Sequence, residues 1–216
     1  MTAKLPIALA LGVAAVGATA LAVARRKPDL LSLAELAELT PRLDAQTRRK
    51  YLPLLNAALH EWSINTPNRI AHALGQWLHE SWQLTTMVEI GPDVQRYASN
   101  PHLGNGGDAA KAASYIGRGP TQLTGLANYT RAGKALGVDL VNVPELAADP
   151  RVGFRAAGWY FREGNGDLAP LADRGTTSAD ILAITKRING GTNGLLDRER
   201  YTHQVAALLA RRRSKT

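Results

Sequence analysis

Two glutamates nine positions apart, Glu80 and Glu89, are the side chains of this sequence best suited to paired acid and base chemistry. Hydrolysis of an acetal commonly uses one carboxylic acid to protonate the leaving oxygen and a second carboxylate to activate water. Glu80 lies close in helical angle to the apolar Ala73 and Trp77, so we expect it to be partly desolvated, which keeps a carboxyl proton available. The sequence therefore predicts Glu80 as a general acid.

Glu89 is the natural partner of Glu80, but an unbroken helix would put it about 13.5 Å away and on the opposite face. We therefore expect the helix to end soon after Glu80, so that Glu89 folds back across a cleft and acts as the general base. Its carboxylate could instead pair with Arg96 or Arg118 and never touch water.

Three motifs lie in order along the chain: His79-Glu80-Ser81, the glycine-rich stretch GRGPTQLT over residues 117–124, and Ile188-Asn189-Gly190-Gly191. Together they resemble the glycoside hydrolases of family 19, which are the class I chitinases and their phage or bacterial relatives that cut peptidoglycan. The resemblance spans about residues 40 to 210. It implies a lysozyme-like fold and hydrolysis of β-1,4 glycosidic bonds with inversion at the anomeric carbon.

The resemblance also implies a set of site residues. Thr124 matches a residue that helps to hold the attacking water, so the implied catalytic residues are Glu80, Glu89 and Thr124. The implied substrate-binding residues are Arg118, Gln122, Asn128, Tyr129, Asn189 and Arg198. Amide side chains such as those of Asn128 and Asn189 suit the N-acetyl and hydroxyl groups of aminosugars.

Four of these residues also have a plain structural interpretation. Thr124 could serve as a helix N-cap, a role that is compatible with holding water, and Asn189 could end a helix. Arg118 could simply pair with a carboxylate. Arg198 resembles an arginine that supports the catalytic carboxylates in the family, but it could also lie on a solvated helix face.

Helix signals place these residues on a mostly helical framework. Ser32-Leu33-Ala34-Glu35 has the form of a capping box, and Thr66-Pro67 predicts the start of the helix that carries Glu80. A further start is expected at Thr40-Pro41. Because proline removes a helical donor, we expect Pro53 to divide the residues that follow into two helices packed end to end.

The later part of the chain continues this pattern. A short strand or extended loop is expected over 84–90, and a loop is expected over 100–107. Further helices are expected at about 124–136, 149–163, 178–188 and 195–211. The predicted fold class is mainly α (α+β, lysozyme-like), a helical bundle around a substrate cleft with one small β patch.

The composition limits the possible partners. The chain has 216 residues, a formal net charge of +8 and a pI near 10.0, so a polyanionic target is expected. Cell-wall polymers and anionic lipid surfaces both fit this charge. No zinc finger, RNA-binding aromatic motif or basic zipper accompanies it, so we expect no nucleic-acid partner. We also expect the protein to be a monomer.

Several catalytic classes are excluded or disfavoured. The sequence has no cysteine, which rules out a thiolate nucleophile and a disulfide framework. Its five histidines do not form a metal-binding constellation, and HExxH, GxSxG and phosphate-loop motifs are missing. We therefore expect neither a metal nor another cofactor.

Residues 1–27 are predicted to be an amino-terminal signal or anchor segment, and 28–216 a lysozyme-like family 19 glycosidase catalytic domain. The stretch 5–24 is uncharged, mostly apolar and about as long as a helix that crosses a bilayer. It could be a cleaved signal peptide ending at Ala22-Val23-Ala24, a permanent anchor, or a signal-anchor-release helix, which its weak hydrophobicity favours. The basic residues 25–27 argue against export, because they favour the cytoplasmic side.

Taken together, these features predict a peptidoglycan-degrading endolysin of lysozyme type that hydrolyses β-1,4 bonds with inversion at the anomeric carbon. It would be exported to the periplasm, and the first segment would initially tether it to the inner membrane. Three alternatives remain open. One is a chitinase acting on N-acetylglucosamine polymers, and another is a non-catalytic, membrane-tethered protein that binds the cell wall. The third is a bacterial enzyme that remodels the wall.

Overall fold

The computed structural model describes residues 27–213, and ten α-helices account for most of this part of the chain. They are α1 Leu33–Leu39, α2 Ala45–Glu61, α3 Pro67–Glu80, α4 Val94–Ser99, α5 Ala109–Ser114, α6 Leu126–Leu136, α7 Pro150–Arg162, α8 Ala169–Ala172, α9 Ser178–Asn189 and α10 Leu195–Arg213. Two 3₁₀ helices, Pro101–Leu103 and Pro144–Ala148, join them. The predicted mainly helical fold class is confirmed.

The centre of the fold is the pair formed by α3 and α10. The two helices run in opposite directions, because Glu80 at the end of α3 contacts Arg198 near the start of α10, whereas Gly75 approaches Thr202 one turn later. A side chain at Gly75 would collide with the Thr202 hydroxyl, so glycine permits this close approach. Trp77 is only 1% exposed in the core beneath α3. Burying a side chain of this size contributes roughly 3 to 5 kcal/mol relative to alanine.

The predicted helix starts are confirmed where the signal is local. Ser32 and Glu35 form a reciprocal capping box at α1. Thr66 accepts a hydrogen bond from the backbone N–H of Arg69, and Pro67 occupies the first turn of α3, where its missing N–H costs nothing. The direction of α3 therefore follows from the sequence at its start.

The two helices expected after Thr40 are a single helix, so this prediction is wrong. Asp44 caps α2 by accepting from the N–H of Thr47 at 2.9 Å, and the helix then continues through Pro53 to Glu61. One backbone hydrogen bond is lost at Pro53. Tyr51 and Leu55 are buried on either side of it, and their packing holds the two halves in one helix.

The small β patch is less than a sheet. Within residues 27–213 it consists of the isolated antiparallel bridges Val88 to Arg118 and Arg118 to Leu123, so of the short strand or extended loop expected over 84–90 it is the loop that forms. The reason lies just before it. Three consecutive residues, Trp82, Gln83 and Leu84, adopt left-handed φ angles of 49°, 62° and 66°, which turn the chain sharply instead of extending it.

Five short helical elements were not predicted, namely α4, α5, α8 and the 3₁₀ helices Pro101–Leu103 and Pro144–Ala148. The 3₁₀ helix Pro101–Leu103 lies inside the expected loop 100–107, and α4 and α5 flank it. Asp93 and Asp108 cap α4 and α5 through the N–H groups of the third helical residues. Each helix has only six residues, which is too short to show the 3.6-residue apolar period in a sequence.

The predicted membrane segment, residues 5–24, lies outside the described residues. Among the helices of residues 27–213, none is long and apolar enough to cross a membrane. The division of the chain at residue 27 stays a prediction.

Candidate active site

Glu80 is the last residue of α3, and the turn that follows it is built by Ser81. The Ser81 hydroxyl donates to the carbonyl of Trp77 at 2.6 Å and accepts from the N–H of Leu84 at 3.0 Å. The N–H of Gln83 also donates to the carbonyl of Leu78. These bonds hold the left-handed residues in place, so the chain reverses immediately after Glu80.

The reversal brings Glu89 against the glycine-rich stretch. The backbones of Glu89 and Gly117 are joined by the bond from Glu89 N–H to the Gly117 carbonyl at 2.8 Å. In return, Gly117 N–H donates to Glu89 Oε2 at 2.9 Å, and the Tyr97 hydroxyl donates to Oε1 at 2.5 Å. Both carboxylate oxygens are held, and no ion pair of Glu89 is found in the described part of the chain. The alternative pairing with Arg96 or Arg118 is therefore not formed.

Gly117 is required here for space. A Cβ at this position would lie 3.0 Å from Oε2 of Glu89 and 2.8 Å from Oε1 of Gln122. A larger residue would displace Glu89 from its hydrogen bonds, so the first glycine of the motif positions the carboxylate.

Arg118 and Tyr129 lie behind the wall of the site, and their predicted contact with substrate does not fit the structure. Arg118 is 8% exposed, and its Nη1 donates to the carbonyl of Ser114 and to the Tyr129 hydroxyl. Tyr129 is fully buried, and its hydroxyl donates to the carbonyl of Ile116. Burial raises the pKa of Tyr129 to about 12. The two residues support the glycine-rich loop from inside.

Arg198 lies beneath Glu80 and is 2% exposed. Its Nη2 donates to Glu80 Oε1 at 2.5 Å, its Nη1 donates to Gln76 Oε1 at 2.5 Å, and its Nε donates to the carbonyl of Asn193 at 3.3 Å. Burial separates Arg198 from the cleft, so its predicted contact with substrate stays a prediction without support from this geometry. The geometry of Arg198 agrees instead with the expected support of a carboxylate, here that of Glu80.

A cleft of about 620 Å³ lies between these elements. Glu80, Glu89 and Thr124 all line it, as do Gln122, Asn128 and Asn189. The three residues predicted to be catalytic therefore face the same space. Their chemical roles stay predictions.

The Thr124 hydroxyl donates to the carbonyl of Gln122 at 2.9 Å, so its oxygen can still accept a hydrogen. Thr124 is not the N-cap of α6. Gly125 takes that position, with a φ of 88° and no side-chain hydrogen bond. The hydroxyl is thereby directed to the cleft instead of to a helix terminus.

The amide side chains of the cleft are partly committed to the loops that carry them. The Gln122 amide donates to the carbonyl of Gly119, and that of Asn128 donates to the carbonyl of Thr124. Asn189 is the last residue of α9, and both ends of its amide bind within the loop that follows. Asn189 therefore ends helix α9 and also lines the cleft.

Several cleft residues were not identified from the sequence. They are Arg96, Tyr97, Asn100, Leu103, Thr121, Leu123, Tyr160, Ile188 and Asn193. Tyr160 comes from α7. Its burial is the main cause that raises the pKa of its hydroxyl, and the charge of the nearby Glu80 is the second cause. Burial and the hydrogen bond to Glu89 raise the pKa of Tyr97 to about 12, so Tyr97 remains a proton donor to Glu89 at neutral pH. Single tyrosines outside a motif give no signal that would have found them.

Comparison with known proteins agrees with this geometry. Residues 66–172 match the family model described as chitinase class I, which is that of glycoside hydrolase family 19. The chain carries a glycoside hydrolase family 19 domain. This confirms the predicted enzyme class at the level of the family. The matched range includes Glu80, Glu89 and Thr124, whereas Asn189 and Arg198 lie beyond it.

Relatives of the family 19 domain include plant and bacterial proteins. An acidic endochitinase of Petunia hybrida is 39% identical over 136 residues, which cover 56% of this chain and 51% of that protein. A crystal structure of a bacterial family 19 chitinase is 27% identical with a TM-score of 0.57, covering 82% of this chain and 95% of that one. The chain spans about half the length, or less, of the curated relatives it matches.

A second structure shows the shared fold alone. Chitinase C from Streptomyces griseus HUT6037 is 23% identical with a TM-score of 0.64, covering 85% of this chain and 78% of that one. The family 19 fold therefore extends over most of the described residues, well beyond the range matched in sequence.

Proposed function

We propose that this family 19 domain hydrolyses β-1,4 bonds between N-acetylated aminosugars, with inversion at the anomeric carbon. The observation that carries the proposal is that Glu80 and Glu89 line one cleft while separate sets of hydrogen bonds hold them. An inverting glycosidase needs two carboxyl groups on opposite sides of the scissile bond with room for water between them.

Glu80 is the general acid in this proposal. The guanidinium of Arg198 occupies Oε1, so Oε2, for which the described residues offer no hydrogen-bond partner, is the oxygen from which a proton is transferred to the substrate. Oε2 can therefore approach the glycosidic oxygen. Arg198 fixes the direction of the carboxyl group, which lowers the entropy cost of proton transfer.

Glu89 is the general base. With Oε1 held by Tyr97 and Oε2 by Gly117, its carboxylate has no freedom to rotate away from the cleft. Water bound between Glu89 and Thr124 gives one hydrogen to each of them. Its lone pair then points to the anomeric carbon, from the side opposite Glu80.

Polymers of N-acetylglucosamine are the first substrate that we propose. The curated relatives are named as endochitinases, and this supports the chitinase alternative better than the peptidoglycan reading. Peptidoglycan is the second candidate because the chain has a formal net charge of +8 and an apolar stretch at residues 5–24, which suit an exported enzyme and an anionic wall. On that reading the protein is an endolysin, exported and first tethered to the inner membrane.

The test is digestion of chitin hexasaccharide and of purified peptidoglycan by residues 28–216, followed by NMR of the new anomeric centre and mass spectrometry of borohydride-reduced fragments. We expect the α-anomer to appear first. Glu80→Gln and Glu89→Gln should each abolish release, whereas Glu163→Gln, at an exposed position outside the cleft, should not.

The sugar at the reduced ends identifies the bond. Reduced glucosamine ends indicate a chitinase or glucosaminidase, and reduced muramic acid ends indicate a muramidase. If the wild-type domain binds both polymers and releases nothing from either, the enzymatic proposal is wrong and a non-catalytic binding protein is favoured.

A further inference from the structure

One cleft residue has a chemistry that the hydrolytic reaction does not use. The charged side chains that line the cleft are Glu80, Glu89 and Arg96, so Arg96 is the one cation among the lining residues of the described part of the chain. A neutral polymer of N-acetylglucosamine presents no anion to this cation.

Arg96 is held near the base through its own helix. It is the third residue of α4, and its N–H donates to the capping carboxylate of Asp93 at 3.1 Å. Its guanidinium carbon lies 5.6 Å from the centre of the Tyr97 ring, and its charge acts on the Tyr97 hydroxyl that binds Glu89. Arg96 is therefore on the Glu89 side of the cleft.

The guanidinium has no carboxylate partner within residues 27–213. Asp93 lies on the same helix, but its side chain accepts from the backbone N–H of Arg96 and makes no ion pair with the guanidinium. Arg96 is also exposed, and it is one of the residues that line the cleft. An arginine fork of this kind binds carboxylates through two parallel hydrogen bonds.

We propose that Arg96 is an anion-recognising position of the cleft, which binds a carboxylate carried by the glycan next to the bond that is cut. The inference rests on the proposed function and extends its substrate class to glycans with acidic substituents. A lactyl carboxylate on every second sugar, or a carboxylate of an attached peptide, provides such a group.

The position of Arg96 gives a physical reason for selectivity. A substrate carboxylate bound on this side of the cleft approaches Glu89, and two like charges repel each other. The positive charge of Arg96 offsets both negative charges, so its removal should lower kcat/KM for an acidic substrate much more than for a neutral one. Equal losses on both substrates would instead indicate that Arg96 acts through Tyr97 and Glu89.

The experiment compares kcat/KM for three soluble glycans of equal length. The first is N-acetylglucosamine hexasaccharide, which is neutral. The second alternates N-acetylglucosamine with N-acetylmuramic acid that bears free lactyl carboxylates. The third is the same glycan after amidation of those carboxylates. For Arg96→Gln we expect a loss of kcat/KM on the acidic glycan that is about tenfold larger than the loss on either neutral glycan. Arg96→Glu should deepen the loss on the acidic glycan, and high salt should reduce the difference. Arg49→Gln, at an exposed arginine of α2 outside the cleft, is the matched control.

Equal losses on all three glycans, or no loss on the acidic one, would overturn the inference. So would a wild-type enzyme that cleaves the neutral hexasaccharide and rejects the acidic glycan. If the wild type cleaves nothing, the proposed function fails separately. In that case calorimetry still tests the recognition of the carboxylate. It compares how tightly the acidic and the amidated glycan bind to Glu80→Gln and to the double variant Glu80→Gln/Arg96→Gln.

Discussion

Arg198 donates to Glu80 from one guanidinium nitrogen and to Gln76 from the other, both at 2.5 Å, while only 2% of its surface is exposed. A buried arginine on the last helix is thus paired with the carboxylate proposed as the acid on α3. Removing one partner of a buried ion pair leaves an uncompensated charge, which costs several kcal/mol. The catalytic proposal and the stability of the fold therefore depend on the same contact.

The first prediction concerns this pair. Glu80→Ala should lower the free energy of unfolding by about 3 kcal/mol, because the charge of Arg198 stays buried without its partner. Arg198→Met removes the buried charge itself, so the double variant Glu80→Ala/Arg198→Met should regain part of the loss. Urea denaturation of the wild type, both single variants and the double variant measures this. Strictly additive losses would contradict a coupling between the two residues.

The second prediction concerns the orientation of Glu89. Tyr97→Phe removes the hydroxyl that donates to Oε1, and we expect kcat to fall by about 10- to 100-fold with KM nearly unchanged. Steady-state kinetics on a neutral chitin oligosaccharide measures both constants. Tyr115→Phe is the control, since its hydroxyl donates to the carbonyl of Val141 and does not line the cleft. A large rise in KM alone would indicate sugar stacking instead.

The third prediction concerns the proposed water site. Thr124→Ala should lower kcat by about 10- to 100-fold, and Thr124→Ser should restore most of it, because serine keeps the accepting oxygen. Thr130→Ala removes a comparable hydroxyl, which donates to the carbonyl of Leu126 on the exposed side of α6, and should have no effect. If serine fails to rescue, the methyl group and not the hydroxyl is what the site requires.

The fourth prediction concerns acid stability. His72 is fully buried, and its Nε2 donates to the carbonyl of Gly175 at 2.7 Å, while its Nδ1 has no hydrogen-bond partner in the described residues. Burial lowers the pKa of His72 in the folded state. His72 is therefore protonated near pH 6.5 in the unfolded chain but stays neutral at that pH in the folded state. The free energy of unfolding consequently decreases as the pH falls below that value.

The variant His72→Gln keeps a donor for the carbonyl of Gly175 and cannot take up a proton. Its Tm should consequently fall less than that of the wild type between pH 7.5 and pH 5.0 in calorimetric scans. His102→Gln, at an exposed histidine, is the control and should follow the wild type. Parallel losses in His72→Gln and the wild type would show that other groups govern the acid sensitivity.

Sequence reasoning succeeded where the signal lies within a few residues. The capping residues Ser32 and Thr66 and the proline of Asp149-Pro150 each act on their own first turn, so their helices begin where the sequence predicts. It was wrong at Pro53, where burial of neighbouring side chains outweighs the loss of one backbone hydrogen bond. It left a strand and a loop both open over 84–90, because three non-glycine residues in left-handed conformations have no reliable pattern that would exclude the strand.

The same division applies to the candidate site. The sequence determined which residue types stand at Glu80, Glu89 and Thr124, and its motifs sufficed to predict the enzyme class and the mainly helical fold. Only the tertiary structure decided that Arg118 and Arg198 turn inward while Arg96 faces the cleft. The physical reason is distance along the chain, since Arg198 meets Glu80 across 118 positions and no local rule reports such a contact.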